Sequence, residues 1–162
     1  MGEVTTAYHE AGHVIMANVI NWQYKDVTVV PGESYLGKIA LESPPPDILE
    51  ALACSSFLPW QRKWLAQKIL LCVAGMVAER IAGLINEDDY WNVETGFAVD
   101  LAVEGGLWIE YEASGDSLFK ADVPAERLLR RHWPEVEMVA KALLERKTLT
   151  SNEVDALVFG RK

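Results

Sequence analysis

The run ILLCVAGMVA, Ile69 to Ala78, is apolar on every side of a helix and places the strongest demand on the fold. It is about half the length a bilayer core requires, so it predicts a buried helix and no membrane span. The segment from about Pro59 to Ile85 starts amphipathic, with Trp60 and Trp64 one turn apart, before becoming apolar all round. Such a helix must run through the centre, covered by other elements. A chain of 162 residues can cover it within one domain, since a chain of this size buries roughly 70% of its unfolded surface. Residues 1–162 are therefore expected to form a single ordered domain.

The flanking pattern predicts an α+β fold, mainly α-helical. Residues 4 to 20 read as a helix capped by Thr5 or Thr6, with Ala7, Ala11, Val14, Ile15 and Ala17 near helical spacing. DVTVVPG, from Asp26, and LGKIALE, from Leu36, read as two short strands forming a hairpin beside that helix, ended by Pro44, Pro45 and Pro46. Asn86 to Gly96 reads as a polar loop, and another helix is expected to begin near Gly96. Pro124 and Pro134 suit the starts of two helices that follow each other or join at a kink. Thr150 and Glu153 form a capping-box pattern for a last short helix, with Leu149 and Val154 placed as its staple.

Other features narrow the function. A formal charge of −9 argues against a nucleic-acid surface, which would need clustered Lys and Arg. No basic and apolar leader opens the sequence, so a cytoplasmic location is the expectation. Cys54 and Cys72 lack metal-site spacing and are expected to be two buried, reduced thiols.

The chemistry is concentrated in TTAYHEAGHVIMA, residues 5 to 17, which contains two of the three histidines in the chain. His9 and His13, at i and i+4, project from one helical face, so two imidazoles can reach one metal ion at about 2.0–2.1 Å. Glu10 points about 100° around the helix from His9 and suits a general base acting on a metal-activated water. One zinc ion per chain is the expected cofactor. Zinc acidifies water and polarises a carbonyl while the carboxylate carries the proton, which together hydrolyse an amide. The competing explanation is two histidines that merely share a helix.

A catalytic zinc takes three protein ligands and keeps one place open, so HEAGH needs a third. His132 sits beside Arg130, Arg131 and Trp133 as an exposed helix-end histidine would. Acidic candidates are Glu79, Asp88, Asp89, Asp100 and Glu104. Glu79 follows the apolar run and Asp100 stands among Phe97, Ala98, Val99, Leu101, Ala102 and Val103, where a carboxylate needs a partner. Spacing does not choose between them.

Several separated pieces, in order, resemble the peptidase domain of the FtsH-type ATP-dependent zinc metalloproteases. TTAYHEAGHVIMA is similar to that family's zinc helix, and YKDVTVVPGESYLGKIAL to its following strand and loop. LLCVAGMVAERIAG resembles its AGR-AAE helix, ETGFAVDL its TGASNDL segment, and residues 136 to 157 its closing helices. The resemblance implies a zincin-like metallopeptidase domain in which His9, His13 and Asp100 bind zinc and Glu10 is catalytic. It also implies that Glu79 orients a zinc histidine and that Thr95 and Gly96 set the entry of the aspartate helix. Met76 stands where the family commonly has Arg, and Ala98 and Val99 where it has Ser and Asn. The ATPase and membrane helices of the family are absent from these residues, so the chain is either excised from a longer protein or a stand-alone member, and the departures at Met76, Ala98 and Val99 favour a divergent stand-alone one.

The expected activity is that of an ATP-independent zinc endopeptidase cutting unfolded or flexible polypeptides. Gly37, Lys38, Ile39 and Ala40 form a strand to whose edge an extended substrate could add by main-chain hydrogen bonds. Expected partners are the peptide substrate and a separate ATPase or adaptor, and the resemblance implies a homo-hexamer. The alternative is a non-catalytic, zinc-stabilised, peptidase-like binding or regulatory module.

Overall fold

The computed structural model describes residues 2–85, 93–105, 107 and 121–160. The architecture is α+β and mainly helical, with one small antiparallel sheet. In chain order the elements are α1 (Glu3–Val19), β1 (Tyr24–Thr28), β2 (Lys38–Leu41), α2 (Pro46–Cys54), α3 (Pro59–Ile81) and α4 (Val93–Glu104). They are followed by α5 (Asp122–Arg131), α6 (Trp133–Arg146), β3 (Thr148–Thr150) and α7 (Ser151–Phe159).

Helix α3 is the centre, as its apolar run demands: Ile69, Leu71, Val73, Ala74, Met76, Val77 and Ala78 are all buried. Helix α1 packs along it, α4 and α5 cover other parts of α3, and α6 lies against α1. Two glycines govern the α1–α3 approach. A Cβ on Gly12 would lie 2.5 Å from the Ala74 carbonyl oxygen and 2.6 Å from the Ala78 Cβ, so the helices can come this close only where Gly12 has no side chain. Arg80, near the end of α3, forks to Asp122 at 3.1 Å and Glu126 at 2.8 Å and ties α5 to the central helix.

Both central helices end in the same way. After α1, Asn21 turns to φ 56°, and the N–H of Trp22 donates to the Ala17 carbonyl at 2.7 Å. After α3, Gly83 turns to φ 70°, and the N–H of Leu84 donates to the Glu79 carbonyl at 2.9 Å. These left-handed caps satisfy carbonyls that the last turn would otherwise orphan. Gly83 stops α3 at Ile81, four residues before the expected end. Helix α1 begins at Glu3 with Gly2 as its cap, so Thr5 and Thr6 lie inside the first turn and do not cap it. The Thr6 hydroxyl instead donates back to the Gly2 carbonyl at 3.3 Å.

The sheet has the order β2-β1-β3. β1 and β2 form the antiparallel pair the sequence suggests, with Val27 opposite Ile39 and Thr28 opposite Lys38. Both are shorter than their apolar patterns, and Gly37 falls just before β2. β3 pairs with the other side of β1, with Val27 opposite Leu149. Three residues are too few to carry a strand pattern of their own, so β3 was not legible. Helix α2 was not legible either: the prolines end the hairpin, but Pro46 also opens a helix, where its missing N–H costs nothing. The expected kink is a break at His132, with Pro134 in the first turn of α6. The Thr150–Glu153 capping box is present, and Leu149 and Val154 are both buried. Both cysteines are free, but Cys54 is exposed at the end of α2, so only Cys72 is shielded.

Gly12→Ala should lower stability by about 1–3 kcal/mol, because the new methyl must push α1 off backbone atoms of α3. Urea denaturation measures this, and an unchanged midpoint would contradict the close helix contact.

Candidate metal centre

Helix α1 presents His9, Glu10 and His13, all buried, toward α3. Each imidazole is fixed through its Nδ1. His9 Nδ1–H donates to Glu79 Oε1 on α3 at 2.8 Å, and His13 Nδ1–H donates to the Leu71 carbonyl of α3 at 2.7 Å. A backbone carbonyl only accepts, so the His13 tautomer follows from its partner, and the carboxylate favours the same tautomer in His9. With each Nδ1 committed as a donor, the two Nε2 atoms, 3.0 Å apart, are the positions at which a metal can replace a proton. They sit over Gly75, where a Cβ would lie 2.5 Å from His9 Nε2 and 2.6 Å from His13 Nε2. A glycine inside a buried helix otherwise costs stability, and here it makes room for two rings.

The third member is Glu94, in the first turn of α4. Its Oε2 lies 3.0 Å from His9 Nε2 and 3.3 Å from His13 Nε2. Ligands in tetrahedral array at 2.0–2.1 Å from zinc stand about 3.3–3.4 Å from one another, close to these separations. Two ring nitrogens and a carboxylate oxygen converging so closely need a positive charge among them, a proton on an imidazole or a metal ion in its place. The donor set and its spacing therefore fit a divalent metal, with Glu79 and the Leu71 carbonyl orienting the histidines.

The electrostatics agree with a cation-seeking cluster. Burial works against a charged His9, but the carboxylates of Glu79 and Glu94, with Glu10 beyond, outweigh it and push its pKa up to about 10. Burial likewise disfavours charge on Glu94, yet the His13 and His9 imidazoles hold its carboxyl well below the usual range. Part of the Glu94 side chain faces solvent, but its Oε2 is shielded against the histidines. Glu10 is pushed upward, mainly by burial and against the pull of His13 and His9. Glu10 Oε2 is buried with no hydrogen-bond partner among the described residues.

The structure brings Glu94 to the histidines and does not bring Asp100, which is exposed further along α4. Six residues of helix turn a side chain by about 240° and carry it about 9 Å, so both cannot face the same point. Glu94 falls in what the sequence suggests is a loop, and the start of α4 at Val93 lifts it into the helix. Thr95 is fully buried, and its hydroxyl points to Met76 Sδ at 3.7 Å, anchoring the turn that carries Glu94 to α3. Glu104 is exposed, and His132 stands apart beside Glu135. Asp88 and Asp89 lie outside the described residues.

Gly37 packs directly over Glu10: a Cβ there would lie 2.7 Å from Glu10 Oε1. Lys38, Ile39 and Ala40 continue from it as β2, which pairs with β1 alone among the described strands. A cleft of about 520 Å³ adjoins the cluster, lined by Glu10, His13 and Glu94 together with the apolar Ile39, Leu41, Leu71 and Phe97.

No family model matches the chain. Against individual proteins, it is 28% identical over 187 residues to ATP-dependent zinc metalloprotease FTSH 9, chloroplastic/mitochondrial, of Oryza sativa subsp. japonica, across 96% of this chain and 22% of that protein. It is 28% identical to ATP-dependent zinc metalloprotease FtsH of Thermus thermophilus, across 96% of this chain and 29% of that one. FtsH 4 of Sorangium cellulosum is 27% identical, across 98% and 29%. The chain is thus weakly homologous to FtsH zinc metalloproteases over most of its own length, and it spans less than a third of the length of these relatives.

Glu79→Gln should weaken zinc binding by about 10–100-fold, and Glu94→Gln by at least as much, whereas Asp100→Asn should leave it unchanged. Competition against a chelator measures all three, and loss of zinc from Asp100→Asn alone would overturn the ligand set. Gly75→Ala should abolish high-affinity zinc binding, since its methyl occupies the space of both Nε2 atoms.

Proposed function

We propose that this chain is a single zincin-like domain that hydrolyses peptide bonds in unfolded or flexible polypeptides. His9, His13 and Glu94 would hold one zinc ion, with Glu94 in place of Asp100. The ion, when bound, supplies a Lewis acid that polarises the substrate carbonyl and makes a water acidic enough to lose its proton near neutral pH. The observation that carries the reading is Glu10, whose Oε2 is buried beside the histidines without a hydrogen-bond partner among the described residues. A purely structural cluster has no use for such an orphaned carboxylate, which costs stability where it stands.

In this reading Glu10 accepts the water's proton at Oε2 and delivers it to the leaving nitrogen. Glu79 and the Leu71 carbonyl keep both histidines in the tautomer that binds metal, and α3 closes the back of the site against water. Lys38, Ile39 and Ala40 offer the unpaired side of β2 to an extended substrate, while Gly37 lets that backbone pass over Glu10. Backbone pairing reads no side chain, so it favours unfolded segments broadly.

The matched relatives are named as ATP-dependent enzymes, and this chain spans only part of their length. Hydrolysis of an already unfolded substrate by these residues should need no ATP, whereas a separate ATPase or adaptor would be required to present a folded client. Three protein ligands among the described residues, rather than four, favour catalysis over the alternative, a zinc-stabilised binding module.

With zinc supplied and ATP absent, the parent should cleave a labelled unfolded protein, and Glu10→Gln should lose about 10²–10⁴-fold in rate while retaining zinc. If the parent binds zinc and cleaves nothing, the binding-module reading replaces this one.

A further inference from the structure

The apolar wall of the cleft is interrupted by two cations. Lys38, on β2, and Lys68, on α3, line the same space as Glu10, His13 and Glu94. Neither lysine forms an ion pair among the described residues, although the chain carries 24 acidic residues against 15 basic ones. Each ammonium is instead held near an aromatic ring: Lys38 Nζ is 5.5 Å from the centre of Tyr35, and Lys68 Nζ is 5.9 Å from that of Trp22. Such contacts localise a cation without neutralising it. Lys68 and Cys72, one turn apart on α3, both line the cleft, and the Lys68 charge opposes the effect of burial on the Cys72 thiol.

The same lining includes the apolar Ile39, Leu41, Leu71 and Phe97, while Glu10 and Glu94 supply the only carboxylates that line the cleft among the described residues. Both of those stand at the histidine end. A peptide lying along β2 would therefore set its reacting bond at the acidic end and its neighbouring residues between apolar side chains and two unpaired ammonium groups.

We infer that Lys38 and Lys68 form a subsite for a carboxylate, so that the preferred substrate is a peptide carrying an acidic group next to an apolar residue close to the cleaved bond. This rests on the cleft being the peptide site proposed above. The carboxylate can be an Asp or Glu side chain or a free C-terminus, and the two are chemically equivalent to the lysines.

The test separates recognition from cleavage by using the zinc-loaded Glu10→Gln protein, which holds peptide without turning it over. Three fluorescent peptides share one apolar sequence: one with an internal Glu and an amidated end, one with Gln in its place, and one with Gln and a free C-terminal carboxylate. At low salt the Glu peptide, the free-acid peptide or both should bind about fivefold more tightly than the neutral one. Whichever of the two gains affinity identifies the source of the carboxylate. Lys68→Gln and Lys38→Gln, each added to Glu10→Gln, should bring the acidic peptide down toward the neutral one. Equal binding of all three peptides, or a preference that survives both lysine substitutions, would overturn the subsite. Cleavage of the same peptides by the parent reports separately on the hydrolase reading: turnover without any charge preference sinks only the subsite, and charge-selective binding without turnover sinks only the hydrolase.

Discussion

The close contact between α1 and α3 is the constraint on which the rest depends. Gly12 on α1 lets the backbone of α3 approach, and Gly75 on α3 lets the imidazoles of α1 lie over it. A side chain at either glycine would push the helices apart and loosen the 2.7 Å bond from His13 Nδ1 to the Leu71 carbonyl. The small residues Ala7, Ala11, Ala74 and Ala78, all buried, continue the same close seam. A packing choice in the core thus fixes the orientation of both rings.

The second theme is charge that is gathered without being neutralised. Three glutamates from three helices, Glu10, Glu79 and Glu94, converge on two histidines. Burying this many carboxylates is costly unless each has a partner. Glu79 finds its partner in the His9 imidazole, whereas Glu10 Oε2 and Glu94 Oε2, the latter set against both Nε2 atoms, have no hydrogen-bond partner among the described residues. The fold tolerates that deficit because the surrounding shell is held together elsewhere, by the apolar face of α3, the left-handed caps after α1 and α3, and the Arg80 fork to α5. The sheet has a related division of labour: β3 covers one side of β1, and β2 covers the other while leaving its own outer side beside the cleft.

Much of this could be read from the chain in order. The apolar run predicted the central helix because no other environment accepts a helix that is apolar all round. The HEAGH spacing placed two imidazoles on one face because helical geometry is local. What required the folded molecule was every relation between elements far apart in the chain: Glu94 lies 81 residues after His13, and Leu71 58 residues after it. The resemblance pointed to Asp100, but the choice between Glu94 and Asp100 turns on where α4 begins and how it rotates against α3, a matter of a few residues that no local pattern records.

The sequence by itself therefore determined the buried central helix, the two histidines with Glu10 between them, the β1–β2 pair and the capped last helix, because periodicity and caps act within a few residues. Only the tertiary structure placed Glu94 beside the histidines and fixed the partners of both Nδ1 atoms, the room made by Gly75 and the pairing of β3. Those depend on long-range packing, in which a shift of one helical turn exchanges one acidic side chain for another.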